Sequence, residues 1–194
     1  KLLEMASHAS VPVINGLTER GHPCQIMADV MTLEEHFGTV EGKTVAWIGD
    51  CNNMCLSWIE AAEKLGFALR IAGPKKHQPP PDEIARARKA GAKIDVFDDP
   101  AMAVAGAECV TTDAWASMTH TDRDARVGAF RPYQVNEALM KKASPDAVFL
   151  HCLPAHRGEE VTDRVLDGPK SLAWEEAENR LHVQKAILRW CLGR

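Results

Sequence analysis

From Thr44 onward the chain alternates short apolar runs with stretches in which apolar residues recur every three or four positions. The segment "TVAWIG" (44–49) reads as a buried strand, and "NMCLSWIEAAEKLG" (53–66) as a helix closed by Gly66. The run "ALRIAG" (68–73) is followed by a proline-rich break at Pro79 to Pro81 and a helical stretch to about Gly91. Next come "KIDVF" (93–97), a short helix after Pro100, "ECVTTD" (108–113), a helix near Tyr133 to Ala143, and "AVFLHC" (147–152). Five strands joined by helical crossovers predict a parallel sheet covered on both faces, a doubly wound, Rossmann-like α/β domain.

The flanks follow the same logic. In "HPCQIMADVMTLEEHFG" (22–38), Ile26, Val30, Leu33 and Phe37 fall on one helical face, with Pro23 suited to the first turn. A last helix, about Glu175 to Leu192, carries two apolar stripes. One runs through Val183, Ile187 and Trp190, the other through Leu181, Leu188 and Cys191, so the helix is expected to pack on more than one surface. At the other end, "KLLEMASHA" followed by "VPVIN" (11–15) reads as the last helix and strand of a preceding domain. The expected division is residues 1–20 as that domain's end, 21–174 as the α/β domain, and 175–194 as a helix returning to the preceding domain.

Composition narrows the function. At 194 residues, 45% hydrophobic and 26% charged, the chain can bury one substantial core. A net charge of −4 without a dense Lys/Arg run argues against nucleic-acid or membrane-surface binding and leaves small anionic ligands open. No stretch reaches the roughly twenty apolar residues of a membrane span, and the first residues lack a signal-peptide pattern, which predicts a cytoplasmic protein. Cysteines 24, 51, 55, 109, 152 and 191 form no disulfide framework and read as free thiols. Cys51 with Cys55, and Cys152 with His156, are spaced like zinc ligands, but neither has a matching second pair, so no metal is expected.

In open α/β sheets ligands bind beyond the carboxyl ends of the strands. Three such ends are polar: "GDCNN" (49–53), "TTDAWASM" (111–118) and "HCLP" (151–154). Gly49 is followed by no glycine at dinucleotide-loop spacing, which disfavours a nucleotide-binding module. The amides of Asn52 and Asn53 can instead donate to a carboxylate and accept from an ammonium group, the two ends of an amino acid. Asp113 either pairs with an amine or caps the next turn, and Ser117 and Met118 either fold over the same ligand or lie on the surface. Cys152 is either reactive or a small hydrophobe, and His151 either chemical or a hydrogen-bonded core histidine. His22 and Gln25 stand at a helix start, where free N–H groups favour anions and developing negative charge.

With "HPCQ", "GDCNN", "DAWASM", "HCLP" and "EAENRLH" (176–182) in this order, the chain resembles the ornithine carbamoyltransferases of the aspartate/ornithine carbamoyltransferase family. The likeness spans essentially the whole chain and corresponds to the C-terminal, ornithine-binding part. Aspartate-specific relatives are expected to carry proline where Cys152 stands, so Cys152 points to ornithine. The resemblance implies transfer of a carbamoyl group from carbamoyl phosphate to the side-chain amine of L-ornithine, without metal or organic cofactor, in a homotrimer or an assembly of trimers. It assigns His22, Pro23, Cys24 and Gln25, with Arg180 and the pair Cys152 and Leu153, to carbamoyl phosphate. Asn53, Asp113, Ser117 and Met118 become the ornithine clamp, and Cys152, His22, Arg180 and Asp113 the catalytic set.

Two departures qualify the resemblance. The family's phosphate-binding Ser-x-Arg-Thr-Arg loop does not occur in these 194 residues, so the chain is expected to be incomplete alone. Thr119 stands where the family usually has glycine, and threonine resists backbone angles that glycine allows, so loop closure there is expected to differ. The alternatives are a carbamoyltransferase for N-acetylornithine or putrescine, and a non-catalytic ornithine-binding fragment.

Overall fold

The computed structural model describes residues 1–116 and 123–193. Its helices are α1 (Leu2–His8), α2 (Pro23–Phe37), α3 (Asn53–Leu65), α4 (Pro81–Lys89), α5 (Pro100–Val104), α6 (Arg123–Phe130), α7 (Glu137–Met140), α8 (Asp163–Leu166) and α9 (Ala173–Cys191). The strands are β1 (Thr44–Ile48), β2 (Ala68–Ala72), β3 (Lys93–Phe97), β4 (Cys109–Thr112) and β5 (Val148–His151). They form one parallel sheet in the order β3-β2-β1-β4-β5.

The unbroken apolar character of β1 has a direct cause, since its side chains supply two cores on opposite faces. Val45 and Trp47 point to one face and pack with Leu69, Trp58, Ile59 and Leu33. Ala46 and Ile48 point to the other and pack with Val110, Phe149, Val104 and Leu166. Burial of each large apolar side chain contributes about 2 kcal/mol. Because the chain builds outward from β1 to β3 and then returns to place β4 on the other side of β1, the strand order reverses between β1 and β4. That reversal opens a crevice at their carboxyl ends. At the neighbouring ends of β1 and β2, close packing requires Gly73, because a Cβ atom on it would lie 2.2 Å from the Gly49 carbonyl oxygen.

The five predicted strands and the helices at 22–38, 53–66 and 175–192 are present within a residue or two. Three expectations change. Residues 11–15 form no strand; Pro12 lacks an N–H, and the segment pairs with no strand of the sheet. The helix expected over 133–143 shrinks to Glu137–Met140, because Asn136 caps it by accepting from Leu139 N at 3.0 Å, and Val135 bridges to Val161 instead. On α9 the second expected stripe is exposed at Leu181 and Leu188, and of the first only Val183 is buried. The inner face of α9 is instead Ala173, Glu176, Asn179 and Val183, two of them polar, and it lies along α2.

Candidate active site

The crevice between β1 and β4 is bridged by a hydrogen bond. Asn52 caps α3 through its Oδ1, which accepts from Met54 N at 3.0 Å and Cys55 N at 3.2 Å, while its Nδ2 donates to Asp113 Oδ2 at 2.6 Å. Asp113 Oδ1 accepts from Ala114 N at 2.7 Å, so the carboxylate is fixed from both sides yet stays half-buried at the strand end. Asn53 begins α3 beside it. Its carbonyl accepts from Ser57 Oγ, which in turn accepts from the His22 N–H, both at 2.8 Å. This relay links the start of α2 to the start of α3.

Strand β5 supplies the third edge. His151 is fully buried; its Nδ1 accepts from Leu153 N at 2.9 Å, and its Nε2 lies 3.4 Å from Glu160 Oε1. The histidine therefore shapes the turn, in which Leu153 takes a left-handed φ of 52°. Cys152 is presented half-buried with donor atoms of Asp113, His151 and Cys152 all within 4.8 Å of one another. Burial, followed by the negative charge of Asp113, pushes the Cys152 thiol well above its ordinary pKa, so it is a neutral thiol at pH 7.

The fourth wall comes from α2 and α9. His22 occupies the N-cap position and Pro23 the first turn. Burial, then the nearby Arg180 charge, lowers the His22 pKa, so the ring is neutral near pH 7, and its Nδ1 is buried without a partner among the described residues. Gln25 faces inward and accepts from Arg180 Nη1. With the Gln184 amide oxygen turned toward Arg180, that oxygen accepts from Nη2 at 2.8 Å and Nε at 3.1 Å, which holds the guanidinium from a second side. Cys24 is turned away, its thiol lying 3.5 Å from the Asn15 carbonyl.

His22 thus lies near both Arg180 and Asp113, Gln25 bonds to Arg180, Asp113 stands beside Cys152, and Ser57 links Asn53 to His22, whereas the Cys24 thiol faces elsewhere. Ser117, Met118 and Thr119 lie outside the described residues. Sequence reasoning missed three contributors, Asp29, Glu176 and Arg126, and gave Asn52 a different role. Asn52 rather than Asn53 holds Asp113. Asp29 and Glu176 lie buried beneath Gln25. Arg126 on α6 bonds to Asp50 Oδ2 and donates to the Trp115 carbonyl at 2.9 Å, which ties the end of β1 to the segment after Asp113. Two signals were readable: Asp29 breaks the apolar rhythm of its helix, and Glu176 is one turn before Arg180.

Residues 41–191 match the family described as "Aspartate/ornithine carbamoyltransferase, Asp/Orn binding domain", and residues 1–35 match its "carbamoyl-P binding domain". The chain belongs to the aspartate/ornithine carbamoyltransferase family. It is 58% identical over 192 residues to an ornithine carbamoyltransferase of Nitrobacter winogradskyi, covering 99% of this chain and 62% of the relative. Against that of Caulobacter vibrioides it is 56% identical, covering 97% of this chain and 60% of the relative. Among solved structures, the ornithine carbamoyltransferase of Pyrococcus furiosus superposes with a TM-score of 0.90 at 46% identity, over 97% of this chain and 62% of that one. The anabolic ornithine carbamoyltransferase of Campylobacter jejuni superposes with a TM-score of 0.91 at 38% identity, over 99% and 65%. The chain spans a little over three fifths of the length of these relatives.

Proposed function

We infer that the crevice belongs to a carbamoyltransferase that moves the carbamoyl group of carbamoyl phosphate to the side-chain amine of L-ornithine, giving L-citrulline and phosphate. The observation that carries this reading is the pairing, across one crevice, of a fixed anion and a neutral thiol with an amide-guanidinium pair. Asp113 beside Cys152 suits an amine. Gln25 and Arg180 suit a carbonyl group that gains negative charge.

The chemistry follows from these groups. Ornithine's side-chain ammonium sheds a proton to solvent before attack; desolvation beside the uncharged Cys152 thiol favours the free amine, while the Asp113 carboxylate, which favours a charged ammonium, suits the α-amino group. The amine nitrogen bonds to the carbamoyl carbon, and the carbonyl oxygen becomes an oxyanion that Arg180 and a His22 N–H can stabilise. The bond from that carbon to the bridging oxygen then breaks, phosphate departs with the electron pair, and the new nitrogen gives its second proton to the departing phosphate. Asn53, Asp113, Ser117 and Met118 are proposed to hold the α-amino and α-carboxylate groups. The carbamoyl phosphate set is proposed to be His22, Pro23, Cys24, Gln25, Cys152, Leu153 and Arg180, with Pro23 and Cys24 acting by fixing the helix start. The phosphate-holding loop is assigned to the part of the relatives that lies beyond this chain.

In the same reading, residues 1–20 close a carbamoyl-phosphate domain, 21–174 form the ornithine domain, and α9 returns toward the former. A trimeric parent enzyme and a cytoplasmic, biosynthetic role toward arginine complete the proposal; the likeness to an anabolic enzyme supports the direction. Among the described residues no helix is long and apolar enough to cross a membrane.

The test is citrulline formation from carbamoyl phosphate and L-ornithine by the purified protein, with putrescine and N-acetylornithine as parallel acceptors. Product with ornithine alone is the expected result. Preference for either other amine would overturn the substrate, and no product even when the N-terminal portion present in the relatives is supplied would overturn the reaction.

A further inference from the structure

Both hydrogens of the Gln25 amide nitrogen are directed at acids. Its Nε2 lies 2.8 Å from Asp29 Oδ1, one turn along α2, and 2.9 Å from Glu176 Oε1 on α9. Gln25, Asp29 and Glu176 are each 1% exposed. Carboxylate oxygens accept and do not donate, so turning the amide over would aim its oxygen at two acids and remove two hydrogen bonds. The other Glu176 oxygen accepts from His151 N at 2.9 Å, so the carboxyl that fixes this amide also fixes the strand end just before Cys152.

Two buried carboxylates separated only by a neutral amide repel strongly, and one proton held between them removes most of that repulsion. The two carboxyls meet at one amide nitrogen, Asp29 Oδ1 at 2.8 Å and Glu176 Oε1 at 2.9 Å. We propose that Asp29 and Glu176 form a proton-sharing clamp that holds the Gln25 amide in one orientation, presenting only its oxygen to the ligand. Both are positioning residues, and neither touches substrate.

A fixed oxygen accepts, so the clamp selects a ligand that offers N–H at this point. This consequence rests on the carbamoyl-transfer reading. The NH2 of carbamoyl phosphate can donate to the second lone pair of Gln25 Oε1, whereas the methyl group of acetyl phosphate cannot. The clamp is also sensitive to pH. Burial raises the Asp29 carboxyl to about 7 and the Glu176 carboxyl well above its ordinary range. The groups that face the pair are Arg180 on α9, which favours ionisation of Asp29, the Cys109 thiol on β4 and Cys152 thiol on β5, both held neutral, and the His151 N–H.

The clamp can be read without substrate. In 1H–15N spectra of the protein, with the Gln25 side-chain NH2 signals assigned by their loss in Gln25→Met, both hydrogens are expected to exchange slowly and to shift in one titration near neutral pH. The isosteric variants Asp29→Asn and Glu176→Gln should abolish that titration. A fast-exchanging amide that does not titrate, or a titration unchanged in both variants, overturns the clamp. In the active enzyme, Glu176→Gln should raise KM for carbamoyl phosphate about tenfold and leave KM for ornithine unchanged; an equal rise in both would overturn the positioning role. If the unsubstituted enzyme transfers no carbamoyl group, the functional reading fails, and the spectra still decide the clamp.

Discussion

The two sides of the crevice are built differently. On the α2–α9 side, Gln25, Arg180, Asp29 and Glu176 bond to one another, and three of the four are fully buried. On the β1–β4 side, Asp113 and Cys152 remain half-buried, and one amide, Asn52, fixes the carboxylate across the crevice. The first side is assembled by helix packing before any ligand arrives. The second presents an anion and a thiol whose surroundings a ligand must complete. In the proposed transfer this asymmetry is an advantage, because a rigid half would position the activated group while a more open half would admit the acceptor.

The sharpest way to break the contrast is to remove the residue that ties the rigid side together. Glu176→Ala takes acceptors from both Gln25 and the His151 N–H and is expected to destabilise the fold by about 3 kcal/mol in denaturant unfolding. A cost below about 1 kcal/mol would mean that the rigid side is not structurally linked to β5. Cys152→Ala leaves the backbone intact and should weaken ornithine binding and lower turnover by roughly tenfold, with carbamoyl phosphate binding affected less. Kinetics equal to those of the unsubstituted enzyme would remove Cys152 from the acceptor side.

Acid-base linkage separates the sides more finely. Asp29 titrates at about 7 when folded, against an ordinary 3.8. A carboxyl raised in this way contributes stability that is fully present below about pH 4 and is lost as pH rises toward about 7. Relative to Asp29→Asn, the unsubstituted protein should therefore lose stability across that window; parallel stability curves would show that the pair does not hold its proton. The smallest effect belongs to the open side. Asn52→Ala removes a helix cap and should cost about 1 kcal/mol, while also freeing the Asp113 carboxylate.

Much of this was legible in the sequence, for identifiable reasons. The strands could be read because a sheet buried on both faces demands unbroken apolar runs such as Val45 to Ile48, and the strand ends then directed attention to Asp113 and Cys152. Residues 11–15 misled because an apolar run predicts a strand only if a neighbour is there to pair with it. Helices α6 and α8 were missed because eight and four residues are too short for a helical period to stand out. The clamp was hidden because Asp29 and Glu176 are 147 positions apart and meet only when α9 packs along α2. His151 and Cys152, adjacent in sequence, proved to divide their work, one shaping the turn and the other facing the crevice.

The most direct measurement is calorimetric titration of L-ornithine and of carbamoyl phosphate into the unsubstituted protein and Asp113→Asn. The substitution is expected to weaken ornithine binding about 30-fold, through loss of the charge opposite its amine, and to leave carbamoyl phosphate affinity within a factor of two. Equal losses for both ligands, or unchanged ornithine affinity, would contradict the division of the site into an acceptor side at Asp113 and a carbamoyl side at Gln25 and Arg180.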